Sequence, residues 1–233
     1  MVKGTKISKK KLQEPDEFIT VTQRTLEFAR VHIRKIGTAG LIIAVIVVAV
    51  LFFRMWKERK EADASQKLSA AMEVYQKVSS PYREGTPSDY KNALGSFEDI
   101  IKQFPNTSAG KLSLIFKGNI QFKLGEYDEA IKVYQAFLEK GGKEKLYRLF
   151  ALEGLGYACE GKKDYGKAVD AYQQIVASGE TSQLGDAYLS LGRCYEKLEK
   201  NKEAVESYRA YLKTNPNSDK SNMVLRKISL LEK

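Results

Sequence analysis

The chain has 233 residues, 43% of them hydrophobic and 29% charged, with a formal net charge of +10. That is ordinary for a folded protein, with enough apolar surface to bury a core, and five prolines in a chain rich in Lys, Glu, Leu, Ala and Tyr point to helix. Nine Lys/Arg against four acids precede Ile36, so half of the positive excess sits in the first seventh of the chain; the mixed Lys/Glu surface that follows argues against a nucleic-acid binder.

In chain order, Lys3 to Lys11 is Lys-rich and reads as irregular. Glu14-Pro15-Asp16-Glu17 then reads as a helix start, with proline early and acids in the first turn. Phe18, Thr22, Leu26, Ala29 and Ile33 follow at helical spacing, with Val21 and Phe28 widening the stripe. This predicts a short amphipathic helix that either lies on a membrane surface or continues into the next segment; a helical stem without a role of its own fits the same stripe. His32, the one histidine, lies in this stem and is assigned no role.

Residues 36–53, IGTAGLIIAVIVVAVLFF, carry no charge. As a helix they span about 27 Å, against a hydrocarbon core of roughly 30 Å. Arg34 and Lys35 bracket one end, and Arg54, Lys57, Arg59 and Lys60 the other. Trp56 stands where an interfacial aromatic anchor belongs. The segment is too long, too β-branched and too apolar on every side to be expected as a buried helix of a soluble protein. The stretch before it is too long for a signal-peptide n-region, and Ala62-Asp63-Ala64 lies beyond a charged stretch. The reading is a retained transmembrane helix over 36–53. A basic tail (1–35) stays in the cytoplasm and a long domain (62–233) is translocated, which places the chain in the inner membrane with its C-terminal domain in the periplasm.

After Glu61 the pattern repeats. Tyr188-x2-Leu191-Gly192-x2-Tyr195, then Ala204-x3-Tyr208, then Pro216, fits the tetratricopeptide signature of small and aromatic slots over about 34 residues. Earlier copies are Leu152-x2-Leu155-Gly156-x2-Cys159 with Ala168-x3-Tyr172, and Leu114-x2-Lys117-Gly118-x2-Gln121 with Ala130-x3-Tyr134. A degenerate first copy keeps only Ala93-x3-Phe97 and Pro105. The chain thus reads as all-α: one N-terminal transmembrane helix, then an α-solenoid of tetratricopeptide-type helix pairs with a C-terminal capping helix. The repeats fall at about 64–105, 109–142, 147–180 and 183–216, and the cap at 217–232. In each pair Gly118, Gly156 and Gly192 are expected to admit the second helix at Ala130, Ala168 and Ala204, while Tyr134, Tyr172 and Tyr208 fill the gap to the next pair. Ser79 to Ser88 reads as a loop. Pro216-Asn217-Ser218 reads as the start of the last helix, running to about Leu231, with Met223, Val224, Ile228 and Leu231 covering the open end. Cys159 and Cys194 lack metal spacing and read as small buried side chains, with a disulfide between neighbouring repeats as the alternative in an oxidising compartment.

In its order of parts (tail, span, repeat domain) the chain resembles the ancillary subunit family of the bacterial Sec translocon. The resemblance implies a protein that acts beside the translocon or in periplasmic chaperone networks, with exported or envelope proteins as partners. Similarly built proteins serve outer-membrane assembly or division machinery, so an envelope scaffold stays open, as does a tethered adaptor that self-associates into a homo-oligomer.

The residues expected to face the partner groove are Ile115, Asn119, Phe122, Phe150, Glu153, Tyr157, Leu189 and Arg193. Their mix of apolar and polar groups suits extended or helical partner segments; Phe122 and Phe150 fit equally as core between repeats. Ile115, Glu153 and Leu189 stand where a basic clamp for C-terminal carboxylates belongs, which argues against that mode of capture. A single histidine in the stem leaves no Ser-His or Cys-His couple for the domain, and no phosphate loop or HExxH is present, so no catalysis, metal or cofactor is expected. The partners expected are other proteins and, through 36–53, the lipid bilayer.

Overall fold

A computed structural model describes residues 17–80, 85–139, 144–179 and 181–233. The Lys-rich stretch, the expected helix start at Glu14-Pro15-Asp16, and the Phe18, Val21 and Thr22 side chains lie outside that description. Among the described residues every regular element is helical: α1 (Glu17–Val78), α2 (Pro87–Gln103), α3 (Ser108–Lys123), α4 (Tyr127–Glu139), α5 (Lys145–Gly161), α6 (Tyr165–Ala177), α7 (Thr181–Lys197), α8 (Asn201–Thr214) and α9 (Ser221–Leu231). The chain divides into two compact units, 1–58 and 59–233.

In the first unit the stem and the apolar segment are one helix, so the stripe that includes Leu26 and Ile33 continues into the uncharged run. The helix is long and apolar enough to cross a membrane, and every side chain from Ile33 to Glu58 is exposed. His32 is occupied locally: its Nδ1 lies 3.1 Å from the Phe28 carbonyl oxygen, and its ring stacks on Phe28.

In the second unit the last stretch of α1 is the first helix of the first pair. Ala64, Leu68 and Ala71 pack there with Tyr90, Ala93, Phe97 and Ile100. The later pairs are α3/α4, α5/α6 and α7/α8, each helix packing on the next, while first helices also touch across pairs, α3 on α5 and α5 on α7. Local chemistry sets the boundaries. Thr86 caps α2 reciprocally with Asp89, and the Thr107 hydroxyl accepts from the Gly110 N–H at 3.0 Å. The turn inside each later pair has one geometry. Gly125, Lys163 and Glu199 adopt φ of 76°, 63° and 59°, and the next residue's N–H reaches back to the carbonyls of Gln121, Cys159 and Tyr195. These are Schellman closures, two of them made by residues that bear the left-handed strain of a Cβ.

The repeat glycines do something other than expected. A Cβ on Gly118 would lie 2.7 Å from Tyr134 Cζ, and Gly156 and Gly192 meet Tyr172 and Tyr208 in the same way. The glycines therefore make room for the second helix's tyrosine rather than for its alanine. Gly154 also abuts Tyr134, so that ring does sit between one pair and the next. Tyr134, Tyr172 and Tyr208 are all at most 1% exposed.

Two boundaries differ from expectation. Pro87 and Ser88 are the first residues of α2 rather than loop, because Thr86 is a capping residue with proline after it. The last helix starts at Ser221, not at Pro216-Asn217-Ser218: the Ser218 hydroxyl is held in a turn, contacting Tyr211 Oη at 2.5 Å and accepting from the Lys220 N–H at 3.2 Å. Val224 and Ile228 cover the end of the array with Leu231 beside them, whereas Met223 is 46% exposed and is not part of that cluster.

Replacing Gly118 by Ala forces its Cβ into the Tyr134 ring and should cost about 1–3 kcal/mol. Gly166→Ala, whose Cβ would meet nothing nearer than 3.9 Å, should be neutral or stabilising by up to about 1 kcal/mol. Denaturant unfolding of the two variants checks the difference; equal stability would contradict the ring-on-glycine packing.

Candidate functional site

The repeat intervals define equivalent slots along the first helices. Ile115, Glu153 and Leu189 share one slot; Asn119, Tyr157 and Arg193 share the next; Phe122, Glu160 and Glu196 share a third. One turn before the first of these, Leu112 corresponds to Phe150.

Five of the eight expected residues come together. Ile115, Asn119, Phe150, Glu153 and Tyr157 line a groove of about 540 Å³ across α1, α3 and α5, completed by Met72, Leu112, Phe116, Tyr147 and Gly154. Ile115 is its buried floor, while Phe150, 40% exposed, stands at the rim. Leu112 follows from the register as the counterpart of Phe150. Met72 comes from the degenerate first repeat, where no motif marks the helix.

The other three residues lie elsewhere. Leu189 belongs to the core between α7, α8 and α9. Phe122 is partly buried, its ring against Tyr127 and Tyr157. Arg193 is turned onto Glu160 in a two-point pair, Nε to Oε2 at 2.9 Å and Nη2 to Oε1 at 2.7 Å.

That pair is one rung of a polar series. The Tyr172 hydroxyl donates to Glu160 at 2.7 Å, and the Tyr208 hydroxyl donates to Glu196 at 2.5 Å. Lys227 of α9 pairs with Glu196 as Arg193 pairs with Glu160. In the α3/α4 pair Phe122 takes the glutamate slot, and the Tyr134 hydroxyl donates instead to Asn119 Oδ1 at 2.6 Å. Burial first, and then the neighbouring glutamate, drives the Tyr172 and Tyr208 hydroxyls far above the ordinary phenol range.

Glu153 differs from these carboxylates. Among the described residues its carboxylate accepts one hydrogen bond, from the Tyr157 hydroxyl at 3.3 Å. Burial raises its pKa, the tyrosine bond opposes that, and Asp186 adds to the rise. Tyr157 is pushed up to about 12, chiefly by burial and then by Glu153. Cys159 and Cys194 are buried free thiols, raised by burial to about 11 and about 12, which keeps them protonated and unreactive. Among the described residues no cluster of His, Cys, Asp and Glu is arranged to hold a metal ion.

Stacked helix pairs, glycines facing tyrosines and a concave groove on the first helices define a repeat protein of the kind that binds other proteins. The chain belongs to the tetratricopeptide repeat-like domain family, whose model matches residues 34–233. Among solved structures it is similar to a MamA protein, at 21% identity and a TM-score of 0.56, over 72% of this chain and 81% of that one. It is also similar to a tetratricopeptide repeat protein from Parabacteroides merdae, at 18% identity and 0.58, over 72% and 60%. A third is MamA from Desulfovibrio magneticus RS-1, at 18% identity and 0.52, over 71% and 93%. A comparison with curated proteins finds no match. The structural likenesses establish the fold.

The environment of Glu153 makes a pH prediction. Folding raises its pKa, so the native state holds the proton more tightly than the unfolded chain and the ionised form detracts from stability. That loss is full above the folded pKa and vanishes below the ordinary value of 4.5. Glu153→Gln should therefore raise the melting temperature at neutral pH, and its advantage should shrink as the pH falls toward 4. An advantage that does not change with pH would contradict the assignment.

Proposed function

We propose that the chain is a single-pass, membrane-anchored interaction protein of the cell envelope. Residues 36–53 span the inner membrane, the basic tail is cytoplasmic, and the helix pairs lie in the periplasm. There it serves protein export, beside the translocon or within a chaperone network, by holding segments of exported or envelope proteins against its first helices. The observation that carries this reading is the groove over α1, α3 and α5, an apolar concavity with a few polar groups of the kind repeat proteins present to partners. The anchor is supported by the all-round exposure of an uncharged 18-residue run, which has no counterpart on an ordinary soluble surface. It is further supported by a family match that begins at residue 34 and so takes in that run.

A photoreactive side chain at Phe150 in living cells should crosslink to newly exported polypeptides, while the same group at the exposed Gln135 of α4 should not. Equal capture at both positions, or none at Phe150, would remove the groove from the function. In spheroplasts, external protease should digest the helix pairs before lysis; protection until lysis would place them in the cytoplasm instead.

A central arginine costs about 2.5–3.5 kcal/mol on insertion scales. Val47→Arg should therefore release much of the protein from the membrane fraction. Full retention would show that 36–53 is not a simple span.

A further inference from the structure

Glu153 and Glu160 on α5 and Glu196 on α7 are partly buried, and they are not equally satisfied. Glu160 has Arg193 and the Tyr172 hydroxyl, and Glu196 has Lys227 and the Tyr208 hydroxyl. Glu153 has a single long bond from Tyr157, and among the described residues no lysine or arginine pairs with it. The surrounding walls are Phe116, Phe150, Tyr147 and Met72, and among the described residues no cation lines the groove. The charge that acts on Glu153 is again negative, that of Asp186. Phe122 in the place of a glutamate and Tyr157 in the place of an arginine keep the polar series out of this part of the array.

A carboxylate in a half-buried apolar setting is costly unless a positive group completes it. Nothing else about the site calls for an acid there: Ile115 and Leu189 fill the same slot in the neighbouring pairs with apolar carbon. The volume, about 540 Å³, lies within the roughly 300–1,000 Å³ range of pockets for small ligands. It suits a short segment rather than a folded domain.

We infer that the groove selects a short apolar stretch of a partner protein that carries a lysine or arginine, whose cationic head pairs with Glu153 while neighbouring apolar side chains lie on Phe150, Phe116 and Met72. This rests on the groove reading given above and names the chemistry of its occupant. The selectivity is opposite in sign to a basic clamp for C-terminal carboxylates. The Asn119 carbonyl oxygen is taken by Tyr134, which leaves its amide group as the donor on the opposite wall for a backbone carbonyl of the bound segment.

The test uses the full chain in zwitterionic lipid nanodiscs, with empty nanodiscs as control. The probe is a fluorescent twelve-residue apolar peptide with one central lysine, compared with the same peptide bearing ε-acetyl-lysine. The lysine peptide should bind about tenfold more tightly, the size expected for one charge-assisted pair. Glu153→Gln should abolish that preference, and Phe150→Ala should weaken both peptides alike. Equal binding of the two peptides, or a preference that survives Glu153→Gln, would overturn the inference and leave the groove itself standing. Failure of both peptides to bind would overturn the inference and the groove reading together. Concentration-dependent self-association that competes with the peptide and is lost in Glu153→Gln would make the occupant a second copy of this chain, and would overturn it as well.

Discussion

On the second helices the ring of each of Tyr134, Tyr172 and Tyr208 occupies space that a Cβ on the facing first helix would need, so Gly118, Gly156 and Gly192 lie under them. The hydroxyl at the end of that ring then emerges in a buried place and must find an acceptor. Glu160 and Glu196 serve at two positions. A partly buried carboxylate in turn needs a cation, and the next helix along supplies one, Arg193 or Lys227. Close packing inside one pair thus dictates a charge on the neighbouring element. Where the series is interrupted at Phe122, all three consequences change together. The hydroxyl turns to Asn119, the next helix offers Tyr157 instead of a cation, and the interface becomes aromatic.

The groove is the other face of that interruption. With aromatic and aliphatic groups filling the joint between the second and third pairs, the concave surface over α1, α3 and α5 is apolar, and Glu153 stands in it without the partners its counterparts have. A carboxyl group whose pKa burial raises, in the middle of such a surface, fits the general opposition between stability and binding competence.

Much of this was legible from spacing. Ala130, Ala168 and Ala204, with the aromatic residue four places on, placed the second helices, and the same intervals aligned the slots that bring Ile115, Asn119, Phe150, Glu153 and Tyr157 together. Other features were not, for physical reasons. Glycine beside a helix signals close approach without saying whether a backbone or a ring approaches. The first helix of the first pair carries no motif because it is the continuation of α1, so Met72 could not be assigned to the groove. Arg193 occupies a groove slot by register, yet its direction depends on Glu160, thirty-three positions earlier. Ser218 looks like a helix cap, but its hydroxyl is engaged with Tyr211, and the helix starts one turn later. Met223 matches the helical period of the cap, but the buried face is centred on Val224 and Ile228.

The coupling between neighbours also determines how such an array can lengthen. A tandem copy of the second pair would set Phe122 against a new Asn119, and a copy of the third would set Glu160 against a new Tyr157. Neither restores the joint it replaces. A copy of the fourth pair would present a new Arg193 to Glu196, reproducing the joint already made by Glu160 and Arg193. Growth by duplication is therefore compatible with the interfaces at the C-terminal end and not in the middle, and the groove-bearing half is closed to it.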